Sequence, residues 1–336
     1  MKLSIVDVST VLPGESRTEA FRHSIELAQF AERAGFTRFW LAEHHAAAFI
    51  AGRAPEVLIA AIAANTTTIK VGSGSVLLNH YSPYKVAEVF CTLNELYPGR
   101  IDLGAGRATT GPVSDFALQQ DRTKQIHADS DQQINELVAW LDNSFPASHP
   151  FSKTKIHTID SLPELHMLGS SAWSAGAAAS LGLRYVFAGF INQAGASEII
   201  DSYRRKFQPS RSPSGILSPN VKLAIHVVCA DTEEEANHQL APVRWMYRNL
   251  SIGNLNAPVL RPREAVEALG GIPVLEKYVP GSRVVPKFVG GNLERVQDQL
   301  ESIATDFDVE EIIVQDLITE HHARLRSYEL LSKLIR

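Results

Sequence analysis

Along the chain, short apolar runs rich in β-branched and aromatic residues alternate with longer segments whose apolar residues recur every three or four positions. A run of the first kind fits a strand buried on both faces, and a segment of the second kind fits an amphipathic helix. Their alternation from end to end spells βα units around a parallel sheet. Strands are expected at 2–8, 37–42, 69–74, 100–104, 164–168, 184–188, 221–229 and 309–314. The helices between them carry punctuation. Ser16-Arg17-Thr18-Glu19 has capping-box spacing, Phe21, Ile25 and Ala28 then share a face, and Gly35 offers a stop. Ser82-Pro83 sets an N-cap before a Pro at the first helical position, and Val86, Phe90, Leu93 and Tyr97 follow until Pro98-Gly99 ends the run. The alanine-rich helix 55–66 either packs on the sheet or offers a dimer surface.

Eight strands separated by helices predict a closed (β/α)8 TIM barrel with insertions in its βα loops, spanning 1–336 as a single domain. An open doubly wound sheet of this size would present a dinucleotide-binding Gly motif. Here Gly72-Ser73-Gly74 has Leu77 where the third Gly belongs, and Gly104-Ala105-Gly106 has Thr109. Three stretches exceed ordinary βα loops: 105–120, 144–162 and 251–290. The last contains Pro258, Pro262, Pro273, Pro280 and Pro286, and insertions of this kind are expected to form lids over the active site.

Charge narrows the function classes. With 32 Lys+Arg against 37 Asp+Glu, the net charge of −5 offers no clustered positive field for nucleic acid or an anionic membrane. Asp7 and Pro13-Gly14 interrupt the N-terminus before any apolar stretch reaches signal-peptide length, and no run approaches the ~18 apolar residues of a membrane span, so a cytoplasmic protein is expected. Cys91 and Cys229 sit apart in apolar runs and read as reduced, buried thiols.

In a barrel the chemistry sits where strands end, and the unusual residues collect there. The second strand runs into Glu43-His44-His45, the third into Gly72-Ser73-Gly74-Ser75, the fourth into Gly104-Ala105-Gly106-Arg107 and the fifth into Gly169-Ser170-Ser171. His44 stands where a barrel exposes side chains to its mouth and is the candidate catalytic residue. His45 should face elsewhere in a structural role. Glu43 either orients one of these rings or closes an ion pair. Arg107 either salt-bridges a helix end or clamps a phosphate, for which a planar, permanently charged guanidinium is suited. Ser170, Ser171 and Ser174 at a helix start are a cap, an anion site, or both. The bulk-free Gly72–Ser75 segment is a tight barrel turn or a shelf for a flat ligand. Clamp and shelf together describe a flavin mononucleotide (FMN) site. No metal ligands are expected: strand one reads Ile5-Val6-Asp7-Val8, without a His-x-His pair, and His321-His322 after Glu320 read as helix-start residues.

The runs RFWLAEHH, IKVGSGSVLLNHYSPYKVAEVFCTLNELYPGRIDLGAGR, ELHMLGSSAWSAGAAASLGLRYVFAGF and VEEIIVQDLITEHHARLRSYELLSKLI resemble the bacterial luciferase-like flavin monooxygenase family, nearest to a single-component branch. The resemblance covers roughly 1–110, 160–230 and 285–336. It implies a TIM barrel, commonly a homodimer, that takes reduced FMN from a separate flavin reductase. With dioxygen it forms a C4a-(hydro)peroxyflavin and oxygenates a small organic substrate. It also implies catalytic His44, phosphate-binding Arg107, Ser170, Ser171 and Ser174, and a flavin shelf of Ser73, Gly74 and Ser75 with a cis Gly74–Ser75 peptide. The bland run Ala46-Ala47-Ala48-Phe49 leaves few polar anchors, so a hydrophobic or small carbonyl-containing substrate is expected. Two alternatives remain open: an F420-dependent hydride-transfer oxidoreductase on the same barrel, and a non-catalytic flavin-binding protein.

Overall fold

The structure is a computed structural model that describes residues 1–157, 161–254, 257–272 and 274–335. Its strands are β1 (Lys2–Asp7), β2 (Arg38–Leu41), β3 (Lys70–Ser73), β4 (Val76–Leu77), β5 (Ile101–Gly106), β6 (Glu164–Gly169), β7 (Arg184–Ala188), β8 (Val221–Cys229), β9 (Phe288–Gly291) and β10 (Glu311–Gln315). They pair in the order β10-β1-β2-β3-β5-β6-β7-β8, and β10 also pairs with β8, closing an eight-stranded parallel barrel with helices between the strands. All eight expected strands are present. The third is broken: from Gly72 to Leu77 is five steps, while their β5 partners Asp102 and Gly106 are four apart, so one extra residue is accommodated as a bulge.

Two differences from the sequence reading concern the insertions. β9, pairing with the upper half of β8, went unanticipated because Phe288-Val289-Gly290-Gly291 is short and half glycine. The 251–290 stretch is also partly ordered into a helix, Pro262–Leu269, as 105–120 is by Pro112–Leu118. Pro273 and the parts of these insertions at 158–160 and 255–256 lie outside the described residues.

The Ser16 side chain accepts from Glu19 N and the Glu19 carboxylate caps Ser16 N, which completes the expected capping box of helix Arg17–Arg33. Ser82 occupies its N-cap position without a side-chain bond, so the fixed φ of Pro83 alone sets the start of helix Pro83–Leu96. Helix Pro55–Ala64 buries Leu58, Ile59 and Ile62 against the barrel, leaving Val57 as its exposed large apolar residue. Cys91 and Cys229 are buried and free, and burial pushes both thiols up to about 12.

Strand alternation sorts side chains into two cores. Leu3, Ile5, Phe39, Leu41, Leu103, Leu223, Ile225 and Val314 face outward to the helices in the main apolar core. The inward set begins, at the N-terminal end, with charge: Arg38, Lys70, Asp102, Glu164, Arg184, Lys222 and Glu311. Above this floor comes an apolar layer containing Val6, Trp40, Val186, Ala224 and Ile313, against which the half-buried Ala47, Phe49, Leu168, Phe190 and Leu317 pack at the mouth.

Candidate active site

The floor closes the barrel from below. The Arg38 guanidinium donates to Asp102 at 2.6 Å, Glu164 at 2.8 Å and Glu311 at 3.0 Å. Lys70 reaches Glu164 at 2.9 Å, and Trp40 Nε1 donates to Asp102 at 2.9 Å. Asp102, Glu164 and His166 lie within 4.8 Å of one another, a metal-like spacing, but Arg38 and Lys70 already supply the positive charge there. Burial drives the His166 pKa far below its ordinary value, so this ring is a neutral wedge in the barrel.

At the mouth, Glu43 is the organiser on the second strand's flank. It is buried, accepts from His45 Nε2 at 2.6 Å and Tyr81 Oη at 2.6 Å, and receives Leu77 N at 2.9 Å. Of the two readings open for Glu43, orienting a ring is the one realised, and the ring is that of His45. Burial, with the Glu43 charge beside it, raises the Tyr81 phenol well above its usual range and keeps it a donor. His44 makes no side-chain hydrogen bond to this network among the described residues, although the Glu43 and His45 charges act on its ring. Its backbone N–H donates to Gly52 O at 3.0 Å, and its Nδ1 is buried without a partner among the described residues. Burial lowers its pKa, so the imidazole is neutral near pH 7 and can take up a proton.

The Gly74–Ser75 peptide is cis, as the resemblance implied. The glycines around it are dictated by close approach of neighbouring backbone and of the Ser75 side chain. A Cβ on Gly104 would lie 2.1 Å from Ser73 O, one on Gly72 2.3 Å from Asp102 O, and one on Gly106 2.5 Å from Ser75 Oγ. Ser73 is fully buried, and its hydroxyl bridges Gly104 O at 2.9 Å and Gly104 N at 3.0 Å. Its side chain therefore pins β3 to β5 and is not offered to a ligand, while Ser75 remains half-exposed at the mouth.

Arg107 leaves the end of β5 and lies over the Trp173 ring, 3.8 Å from its centroid. Trp173 is in the first turn of helix Ala172–Ser180 and is held there by its Nε1 bond to Asp131 at 2.7 Å. Arg107 has no ion-pair partner among the described residues. Ser171 and Ser174 cap this helix reciprocally, and buried Ser174 donates to Ser171 O at 2.9 Å beside Tyr185. Ser174 thus shapes the turn from within, whereas Ser171 is exposed and Ser170 half-buried on its outer side. The first-turn amides of Ala172 and Trp173 point out of the helix with no partner within it. An unpaired guanidinium above a helix N-terminus is an anion site in chemical terms.

Several participants were not anticipated. His80 is buried and joins Asp115 at 3.0 Å, tying the helical insertion Pro112–Leu118 to the mouth. Trp173 was visible only as an aromatic in a helix start. His226 on β8, Tyr247 and Phe288 form a ring cluster across the mouth. His321, by contrast, stacks on His23 at 3.7 Å and bonds Glu26 at 3.0 Å, so it joins two outer helices away from the barrel axis.

The profile of the luciferase-like monooxygenase family matches residues 1–301. The chain is 39% identical to the protein YwcH of Bacillus subtilis (strain 168), covering 99% of this chain and 98% of that one. It is 35% identical to an N-acetyl-S-alkylcysteine monooxygenase of the same bacterium, covering 100% and 98%. Among solved structures, apo-MsnO8 superposes with a TM-score of 0.88 at 40% identity, over 99% of this chain and 98% of that chain. The fold alone is shared with the FMN-bound oxygenating constituent of 3,6-diketocamphane monooxygenase from Pseudomonas putida, at TM-score 0.71, 19% identity and 100% and 98% coverage. It is shared as well with an F420-dependent secondary alcohol dehydrogenase, at TM-score 0.64, 13% identity and 100% and 99% coverage.

Proposed function

Because the chain belongs to the luciferase-like monooxygenase family, we propose that its barrel mouth binds reduced FMN from a separate flavin reductase and, with dioxygen, oxygenates a small organic substrate. The observation that carries this reading is Arg107, a guanidinium with no direct ion pair among the described residues, although the Asp131 charge acts on it, lying on the Trp173 ring in the first turn of helix Ala172–Ser180. Arg107, the Ser170 and Ser171 hydroxyls and the first-turn amides hold the phosphate; Ser174 keeps the turn in shape. The flat ring lies against the Ser73–Gly74 backbone and Ser75. When bound, reduced flavin supplies the electrons that activate dioxygen.

The remaining work falls to the chain. His44 Nδ1, buried and without a hydrogen-bond partner among the described residues, accepts and returns a proton at the reacting centre. Glu43 holds His45, Tyr81 and the Leu77 amide, which fixes the His44 backbone between them. The apolar residues Ala47, Phe49, Leu168, Phe190 and Leu317 at the mouth keep water from the centre. The whole chain acts as one barrel domain, in the cytoplasm and as a homodimer. No helix is long and apolar enough to cross a membrane among the described residues. Light scattering should return twice the 36.9 kDa chain mass.

Oxygen uptake with the protein, a flavin reductase, NADH and a panel of candidate organic substrates tests the reading. Uptake above the reductase background on adding a substrate supports it. Background-level uptake throughout the panel leaves a flavin binder without turnover. Tighter binding of F420 than of FMN moves the reaction to hydride transfer.

A further inference from the structure

Four places round the barrel from β3 stands β8, so the side of the mouth that faces the Ser73–Ser75 shelf is built on His226. The inward positions of β8 rise from Lys222 in the charged floor through Ala224 to His226 at the rim. Around His226 the rings close up: Phe190 at 5.1 Å, Phe288 stacked at 5.5 Å, and Tyr247, whose hydroxyl lies 2.9 Å from His226 Nε2. Phe288 is the hub. Tyr247 meets it at 5.8 Å, the Arg244 guanidinium lies 5.6 Å from its centroid and the Lys287 ammonium 5.8 Å. Lys287 sits closer to Tyr247, 3.8 Å from that ring.

This is a wall with two positive charges and, among the described residues, no negative one in contact. Neither Lys287 nor Arg244 has an ion-pair partner among the described residues. Burial lowers the Arg244 pKa; the Glu276 charge opposes that from a distance but forms no ion pair with it. Arg244 spends one amine on Val274 O at 3.1 Å and leaves its Nε buried without an acceptor. A buried unpaired N–H costs about 1–3 kcal/mol, so a cluster that keeps one is organised for an acceptor that arrives from outside. His226 adds no third charge, since burial, with Lys287 beside it, brings its pKa down to about 4. Two cations on an aromatic wall suit an anionic group joined to an apolar body.

We propose that this cluster is the substrate subsite of the mouth and takes a small carboxylate with an apolar body, the carboxylate lying between Lys287 and Arg244 and the body against Phe190 and Phe288. The word substrate rests on the flavin reading above; the carboxylate binding does not. The sequence concealed the subsite because its parts come from the segment after β7, from β8, from helix Glu233–Ser251 and from the far end of the 251–290 insertion.

The test uses the full-length, FMN-loaded protein and calorimetric titration with benzoate, 3-phenylpropanoate and hexanoate, each paired with its primary amide. At least one acid should bind about tenfold or more tightly than its amide. That preference should collapse to about twofold or less in the Lys287→Met/Arg244→Met variant, with FMN affinity unchanged. Lys287→Gln, which retains bulk and polarity, gives the same readout if the double variant fails to fold. Acids binding no better than amides, or none of the panel binding, overturns the proposal, as does a preference that survives the variants. Loss of FMN affinity in the variants also overturns it, by assigning the cations to the cofactor. A wild-type chain that binds no FMN yet prefers the acids would refute the flavin reading alone.

Discussion

Replacing Arg38 with Met removes the charge that neutralises the barrel floor. Three carboxylates lose a donor: Asp102 at 2.6 Å, Glu164 at 2.8 Å and Glu311 at 3.0 Å. Two have other partners. Glu164 keeps Lys70 at 2.9 Å, and Glu311 keeps Lys222 at 3.7 Å and Ser4 at 2.6 Å. Asp102 is the stranded one, fully buried with Trp40 Nε1 at 2.9 Å and Lys70 only at 4.0 Å. Breaking a buried pair typically costs about 3–5 kcal/mol, and the surviving lysines place Arg38→Met near about 3 kcal/mol. With an unfolding entropy of about 2.1 cal/mol/K per residue over 336 residues, or roughly 0.7 kcal/mol/K, that lowers Tm by about 4 °C. Urea unfolding and calorimetry read both quantities. Adding Asp102→Asn should recover about 1–2 kcal/mol, because the amide oxygen still accepts from Trp40 while the unpaired charge is gone. An Arg38→Met variant within about 1 kcal/mol of wild type, or an Asp102→Asn change that adds its own full cost, would refute the idea that charge pairing closes the floor.

Other expectations follow from single groups. His44→Ala should leave FMN affinity unchanged and abolish substrate-dependent oxygen uptake; uptake equal to wild type would remove His44 from the chemistry. His226 has a folded-state pKa of about 4 against an ordinary 6.5, so its share of stability is complete above pH 6.5 and is lost as pH falls toward 4. At 1.36 kcal/mol per unit that share is about 3 kcal/mol, and His226→Phe should flatten the unfolding free energy across that interval by this amount. Gly104→Ala puts a methyl 2.1 Å from Ser73 O, and chemical denaturation should show a loss of about 3 kcal/mol or more, with weaker FMN binding. A fully stable Gly104→Ala protein would mean that β3 can move away from β5.

The barrel was legible because outward positions such as Leu3, Ile5, Phe39 and Leu103, and inward ones such as Val6 and Trp40, are both apolar, giving the continuous runs of a strand covered on two faces. The charged floor was not. Arg38, Lys70, Glu164 and Lys222 stand near strand starts and read as ordinary polar ends; their pairing is nonlocal, with Arg38 and Glu311 separated by 273 positions. The Gly72–Ser75 run announced an irregularity, but only the structure assigns the Ser73 hydroxyl to Gly104 and the glycines to close backbone contacts. The Ser171–Ser174 cap was among the readings of that helix start. Its outcome, with Ser174 turned inward toward Tyr185, depends on a residue eleven positions on in the next strand. β9 and the ring cluster on it could not be read from a proline-rich insertion, because their order comes from packing on β8 and helix Glu233–Ser251.

The central claim is that Arg107 and the helix start beside it hold the phosphate of a flavin. Fluorescence titration of wild-type and Arg107→Ala protein with FMN and with riboflavin, which lacks the phosphate, isolates that contact. The account predicts wild-type binding of FMN about tenfold or more tightly than riboflavin, and a ratio near one in Arg107→Ala because only FMN loses affinity. Equal affinities for the two flavins in the wild type, or an FMN preference that survives removal of the guanidinium, would contradict it.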